Sequence, residues 1–380
     1  MQGPRGTKRE EFEEVLKLVN YVFRESRNEP PNMGKWYPLI FNYDNLENMR
    51  IVLEDGKVVS HIGISESKII VYGCTTKLGS IGSVCTHPEY RGRGLASLLL
   101  KDAMEKLDRD GVDIMLVSGG RGLYRRAGCV EAGIIYEFRV PQDKLKCFNF
   151  SDVELFPYKE EYLEEIVKLY QEEPVRFHRS LEDFRMILST GAAMNRKAQT
   201  LLIRKDERIL GYLVSQLPTQ EGERKVSYIA EYSGARGAIL DAMGSLFDRY
   251  GVQELVLSVP FYDEEFVYLC QRMGLDWTTK NIPGHTVKII NLPRLMERFC
   301  SYLQERLGKK EADLVKFAQE GDSFIIQLGK EQAVLDQKMF TQIVFGNKEP
   351  KVALKVSEKI SKILRSIFPL PLVWPGLNYV

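Results

Sequence analysis

Apolar residues recur every three or four positions over residues 8–27, where Phe12, Val15, Leu16, Val19 and Phe23 fall on one stripe. This spacing predicts an amphipathic helix, which Glu29-Pro30-Pro31 then breaks. An aromatic segment follows at residues 33–45, with Trp36, Tyr37, Phe41 and Tyr43; it either packs a core or walls a cleft. Then the period shortens. Residues 51–54 and 57–64 are apolar runs on either side of Asp55-Gly56, a strong hairpin signal. Residues 68–72 and 77–86 supply two more strands. The helical period returns after Gly94, with Leu95, Leu98, Leu99, Ala103 and Leu107 on one stripe. Residues 112–118 read as a buried strand, 119–128 as a loop running into a short helix, and 134–140 as the last strand of a first unit.

The same order of elements then repeats, which suggests an internal duplication. Residues 159–172 read as a helix. Residues 201–204, 209–217 and 225–232 are strands, with Asp206-Glu207-Arg208 as a hairpin turn. Residues 237–250 are a helix, 254–259 a strand and 264–274 a short helix. From about residue 288 the pattern changes to an amphipathic helix through Leu307, strands at 323–328 and 332–336, helices at 337–345 and 351–367, and an apolar tail. The expected domains are 1–145, 146–287 and 288–380.

Composition narrows the classes. At 380 residues the chain is too long for one ordinary core. With 53 basic and 52 acidic residues the net charge is +1, which argues against nucleic acid as a partner, since phosphate binding shows as a basic excess. The apolar run at 367–374 is short and holds Pro369 and Pro371, so no membrane partner is expected. The N-terminus has no apolar signal core, and the expected location is cytoplasmic. Six scattered cysteines (Cys74, Cys85, Cys129, Cys147, Cys270, Cys300) contain no C-x-x-C pair, and the four histidines (His61, His87, His178, His285) have no ligand spacing. Neither a metal site nor a disulfide frame is expected.

The candidate chemistry lies in residues 81–96, I-G-S-V-C-T-H-P-E-Y-R-G-R-G-L-A. The stretch opens as a strand, and Pro88 ends it because proline cannot donate to a ladder. Arg91-Gly92-Arg93-Gly94 then leads into the helix at Leu95. The two glycines let backbone N–H groups point into one concavity, and the helix start adds partial positive charge. That is a seat for a pyrophosphate, with Arg91 and Arg93 beside it. A plain β–α connection also uses glycines. The order Arg-x-x-Gly-x-Ala at Arg91, Gly94 and Ala96, set between a strand and a helix, favours the seat.

This order resembles the acetyl-CoA signature of the GCN5-related N-acetyltransferases (the GNAT family), and the resemblance runs to about residue 140. It implies acetyl-CoA as co-substrate and no metal. The pyrophosphate would rest on Arg91, Gly92, Arg93, Gly94, Leu95 and Ala96, and backbone groups of Val84, Cys85 and Thr86 would bind the pantetheine arm. The implied fold is α+β (mixed α/β), with two tandem acetyltransferase folds built on mainly antiparallel sheets. In the second unit, residues 233–238 hold an Arg and two Gly residues, but not in the signature order. That unit is expected to be degenerate and not to bind CoA. The whole order is similar to the enhanced intracellular survival (Eis) group, whose closing domain is sterol-carrier-like. This likeness implies a homo-oligomer, with a hexamer as the suggested assembly.

Acetyl transfer from a thioester to an amine needs a neutral amine close to the carbonyl carbon, donors for the oxyanion and a proton for the leaving thiolate. Tyr124, in G-L-Y-R-R-A-G after the 112–118 strand, stands where the family's general-acid tyrosine lies. Cys85 is a possible nucleophile, but on a pantetheine-pairing strand it reads as structural. Residues 77–86 contain no Asp or Glu to serve as base. The Eis group uses its C-terminal carboxylate there. The tail here is apolar to its end, which favours docking into the first domain over a free tail. The carboxylate of Val380 is therefore the candidate base or amine anchor, with His87 as a further candidate. The expected function is acetyl-CoA-dependent N-acetylation of a primary amine (an aminoglycoside, a polyamine or a lysine side chain) by direct transfer. The alternative is a CoA- or lipid-binding regulatory protein.

Overall fold

The computed structural model describes residues 1–145, 152–346 and 356–380. Cys147 and residues 351–355 of the expected last helix lie outside the described residues. The fold is mixed α+β with mainly antiparallel sheets. The chain divides into two units, one of Met1–Gly133, Asn281–Val373 and Val380, the other of Ile134–Lys280 and Trp374–Tyr379.

In the first unit, β1 (Gln2–Gly6), β2 (Met49–Glu54), β3 (Lys57–Val71) and β4 (Cys74–Thr86) form an antiparallel run. β5 (Ile114–Val117) joins β4 in parallel, and Thr286–Ile289 closes this edge antiparallel to β5. Helix α1 (Phe12–Phe23) buries Phe12, Val15, Leu18 and Val19. Helix α2 (Leu95–Arg109) buries Leu95, Leu99, Leu100, Ala103 and Leu107 against Val59, Ile64, Ile81 and Met115. At about 25 cal/mol per Å² of apolar surface removed from water, each buried leucine adds roughly 1.5–3 kcal/mol. A Cβ at Gly79 would meet Leu107, so Gly79 faces α2. Side chains alternate along a strand, so Gly82 faces the opposite side.

Asn281–Val373 of the closing part belong to this unit. Val315–Glu320, Ser323–Leu328 and Glu331–Asp336 make a three-stranded antiparallel sheet. The fully buried Asp113 carboxylate accepts from Thr76 Oγ1 at 2.6 Å and Arg294 Nε at 2.8 Å, and Arg298 lies 3.0 Å away. Two cations and a hydroxyl thus answer a charge that could not otherwise be buried.

The second unit has its own sheet. Its β6 (Ile134–Pro141), expected to close the first sheet, lies here instead, antiparallel to β8 (Glu254–Pro260). β7 (Arg224–Gly234) runs parallel to β8 from Val226↔Glu254 to Ile229↔Leu257. Helix α3 (Arg236–Tyr250) follows β7 and buries Ile239, Met243, Leu246 and Phe247. The tail residues of this unit are clamped by a buried pair. Arg179 donates from both terminal nitrogens to Glu231 at 2.7 Å, and from Nε to Asn378 Oδ1 at 2.6 Å. The Leu377 N–H donates to Glu231 at 2.9 Å. Burial alone pushes the Glu231 carboxyl up, but the Arg179 charge and its hydrogen bonds outweigh this and hold it below the usual range. Among the described residues no helix is long and apolar enough to cross a membrane.

Candidate active site

The site forms where β4 parts from β5. The parallel pairing runs only from Leu78↔Ile114 to Ile81↔Val117, while β4 continues to Thr86 along β3. Gly82–Thr86 therefore run beside β3 alone. A bulge marks the parting. Gly63 pairs Gly82 and His61 pairs Cys85, so Ile62 alone stands against Ser83 and Val84. Ser83 sits at φ 52°, a region that costs a non-glycine residue of order 1–3 kcal/mol unless its surroundings hold it. His61 supplies such a hold, its Nδ1 lying 3.0 Å from the Ser83 carbonyl oxygen. That oxygen can only accept, so Nδ1 carries the proton.

The backbone beyond the bulge is oriented by its partners. The Cys85 carbonyl accepts from Ser60 Oγ at 3.0 Å and so faces β3. The backbone groups of Val84 and Thr86 alternate with it and face the side that β5 has left. The Thr86 carbonyl accepts from Arg91 Nε at 3.3 Å. The Cys85 side chain is buried, and burial pushes its thiol up to about 12. A buried thiol held in its protonated form is a weak nucleophile.

After Pro88–Tyr90 the chain turns into α2. Gly92 and Gly94 adopt φ 79° and 75°, and a Cβ on either would meet nothing within 4 Å. The glycines are thus required by the backbone conformation, and the concavity they line is open. The first intrahelical bond runs from Leu98 N–H to Gly94 O, which leaves the N–H groups of Leu95, Ala96 and Ser97 free to serve an anion. Arg91 and Arg93 are exposed beside them, with Arg93 held to Glu54 at 2.8 Å. A pyrophosphate fits this donor set: free amides at a helix start, two guanidinium groups and room.

Two further predicted residues lie beyond β5. Tyr124, on the short helix Gly122–Arg126, is buried, and its ring lies across Gly119, whose Cβ would come within 2.7 Å of it. Burial pushes the phenol up to about 12, so it stays protonated across the physiological range. Val380 is buried, and its carbonyl oxygen accepts from Ser118 Oγ, at the first residue past β5. Ser118 also donates to the Ile81 carbonyl at 3.2 Å, at the last paired residue of β4. A Cβ at Gly82 would stand 2.6 Å from the Val380 oxygen. The main-chain oxygen of Val380 thus lies at the strand parting itself. His87 lies outside this group, stacked on Tyr21 at 5.3 Å.

Sequence reasoning did not single out Ser118, Gly82, Ser83 or His61. The isolated Gly82 inside a strand was the available signal, since such a glycine often marks a bulge or a close backbone approach.

Residues 4–132 match the family model described as an acetyltransferase (GNAT) domain, and this stretch is such a domain. By that domain the chain is an N-acetyltransferase. No curated protein matches it in sequence. Among solved structures, a GCN5-related N-acetyltransferase from Anabaena variabilis is similar with TM-score 0.66 and 14% identity, over 98% of this chain and 97% of that one. A conserved protein of unknown function from Enterococcus faecalis, called a probable N-acyltransferase, gives TM-score 0.68 and 15% identity, over 97% and 98%. Eis1 from Mycobacterium abscessus gives TM-score 0.62 and 11% identity, over 97% and 98%. These are likenesses of fold.

Proposed function

We propose that the chain transfers the acetyl group of acetyl-CoA directly to a primary amine in the first unit. The observation that carries this reading is the open, left-handed glycine turn at the start of α2, set beside the parted strands β4 and β5. Arg91, Gly92, Arg93, Gly94, Leu95 and Ala96 seat the pyrophosphate, and the backbone of Val84 and Thr86 pairs with the pantetheine arm, while the Cys85 carbonyl, expected to join them, is turned to β3. The amine nitrogen attacks the thioester carbon and the C–S bond breaks. Tyr124 gives its proton to the departing thiolate. The proton lost by the amine goes to the carboxylate of Val380, which also anchors the amine. Solvent then resets both groups. The buried, protonated thiol of Cys85 supports transfer without a covalent enzyme intermediate.

In this reading the second unit has no acyl-CoA site. The Glu173 carboxylate accepts from Ser233 Oγ at 2.7 Å and from Arg236 at 2.6 and 2.8 Å, at the very start of α3. That is where a pyrophosphate would sit. Past the last paired residue of β7, the Trp374 indole N–H donates to the Ala230 carbonyl at 2.7 Å. The chain order and the fold likeness to Eis1 support an Eis-like arrangement with a sterol-carrier-like closing part, assembled from several subunits.

The test is thiol release from acetyl-CoA over a panel of aminoglycosides, polyamines and lysine peptides. Turnover with at least one amine is expected. Tight CoA binding with no release over the whole panel would replace the enzyme by a CoA-binding regulatory protein.

A further inference from the structure

We propose that His61 is a positioning residue for acyl transfer: by holding the Ser83 carbonyl it fixes the Ser83–Val84 peptide, so that the Val84 N–H is aimed at the acyl oxygen of the bound thioester. The inference rests on the acetyl-transfer reading above.

Three observations combine. First, a trans peptide is planar, so its C=O and N–H point in opposite directions. The Ser83 oxygen is turned toward the β3 side chain His61, at 3.0 Å from Nδ1. The Val84 N–H of the same peptide is therefore directed away from the His61 imidazole, and in this proposal it opens to the side where β5 has left β4. Second, Ser83 is left-handed at φ 52° in a two-against-one bulge. Such a peptide rotates easily unless something grips it, and the imidazole grips it at its oxygen.

Third, core packing does not account for a histidine at this position. His61 is 0% exposed, and its Nε2 has no partner among the described residues. An unpartnered buried acceptor costs about 1–3 kcal/mol, which a leucine would avoid. The Nδ1–H bond is what a leucine lacks. Phe41 stacks on the ring at 5.7 Å and 29°, which fixes its plane. Burial pushes the imidazole down to about 4, so it is neutral and has a single proton, the one on Nδ1. A preorganised donor of this kind works because it needs no reorientation when charge develops on the acyl oxygen.

The experiment uses the full chain and acetyl-CoA labelled with ¹³C at the thioester carbonyl. The infrared carbonyl band is expected to move to lower wavenumber on binding to the wild-type protein. His61→Leu loses that displacement and lowers kcat about 10²–10³-fold, as expected for one lost oxyanion donor, while acetyl-CoA affinity falls by no more than about tenfold. His61→Asn, whose amide N–H takes the place of Nδ1–H, restores both. His61→Gln extends its amide to the Nε2 position and restores neither, and it serves as the deletion if the leucine variant does not fold. Wild-type band positions in His61→Leu or His61→Gln overturn the inference, as does a wild-type complex with no band displacement. The band is read in the binary complex, so it tests the aim of Val84 even where no amine substrate is found. Failure of thiol release would count separately, against the reading beneath.

Discussion

Gly82→Ala should separate the chemistry of the first unit from its CoA binding. A Cβ there would lie 2.6 Å from the Val380 oxygen and closer still to its carboxyl carbon. Ordinary contacts between such atoms begin near 3.4 Å, so the carboxyl has to withdraw by about 0.8 Å or more. Backbone lies on both sides of the clash, so no flexible side chain can absorb it. The withdrawal breaks the hydrogen bond from Ser118 Oγ. Misplacing a catalytic group by about 1 Å can cost on the order of 10²-fold, and overpacking costs about 1–3 kcal/mol of stability. The expected outcome is kcat reduced about 10²-fold in thiol-release assays, with acetyl-CoA affinity by calorimetry unchanged, because the α2 turn uses other atoms. Gly120→Ala is the control, since a Cβ there meets nothing within 4 Å. A folded Gly82→Ala protein with wild-type kcat, where chemistry limits the rate, would refute the role given to Val380.

Four further outcomes are expected. Gly94→Asp should abolish acetyl-CoA binding while the fold survives, because it sets a carboxylate at the free amides of α2; calorimetry on the folded variant checks this. Tyr124→Phe should lower kcat about 10²–10⁴-fold with little change in acetyl-CoA affinity, read by steady-state kinetics and calorimetry. Glu231→Gln should cost roughly 3–5 kcal/mol in denaturant unfolding, because it leaves the buried Arg179 charge without its bidentate partner. The fall of the buried His61 from 6.5 to about 4 makes the unfolded chain the stronger proton binder between those values, so its contribution is present above pH 6.5 and lost as pH falls toward 4. It amounts to about 3 kcal/mol, and the stability difference between wild type and His61→Asn should change across that window and be flat above it.

What was legible in the sequence was local. The strand, the Pro88 stop, the glycine turn and the helix at Leu95 are each dictated by residues within a few positions of one another. Pairing partners were not legible. The run 134–140 reads as a strand in any sheet, and only long-range pairing puts it beside Glu254–Pro260 while Thr286–Ile289 takes the edge at β5. Gln2–Gly6 holds two glycines and a proline, a composition that an edge strand tolerates but that does not announce one. Val315–Glu320 is an edge strand with a single buried residue, Val315, and so carries little apolar signal. Within the site, His61 and Ser83 are far apart in sequence, as are Ser118 and Val380. No periodicity connects such pairs.

On the proposed reading, the two units differ in what answers their parted strands. In each, a parallel pair of strands parts midway, after Ile81↔Val117 in the first and after Ile229↔Leu257 in the second. Each parting exposes backbone groups that must find partners. In the second unit the Trp374 indole answers the Ala230 carbonyl, and the Glu231 carboxylate beside it is taken by Leu377 N–H, Tyr212 and Arg179. At the start of α3, Arg236 is held by Glu173 and Asp263, so its charge is spent inside the unit. In the first unit Arg91 and Arg93 remain exposed, and the amides at the start of α2 stay free. The difference is in side chains and not in topology. Clearing the second unit's turn by Glu173→Ala would leave Arg236 with Asp263 alone and the parting still filled by Trp374, so no CoA binding is expected to appear. A calorimetric CoA site gained by that single substitution would show that Glu173 alone had blocked it, and the argument from the filled parting would fall.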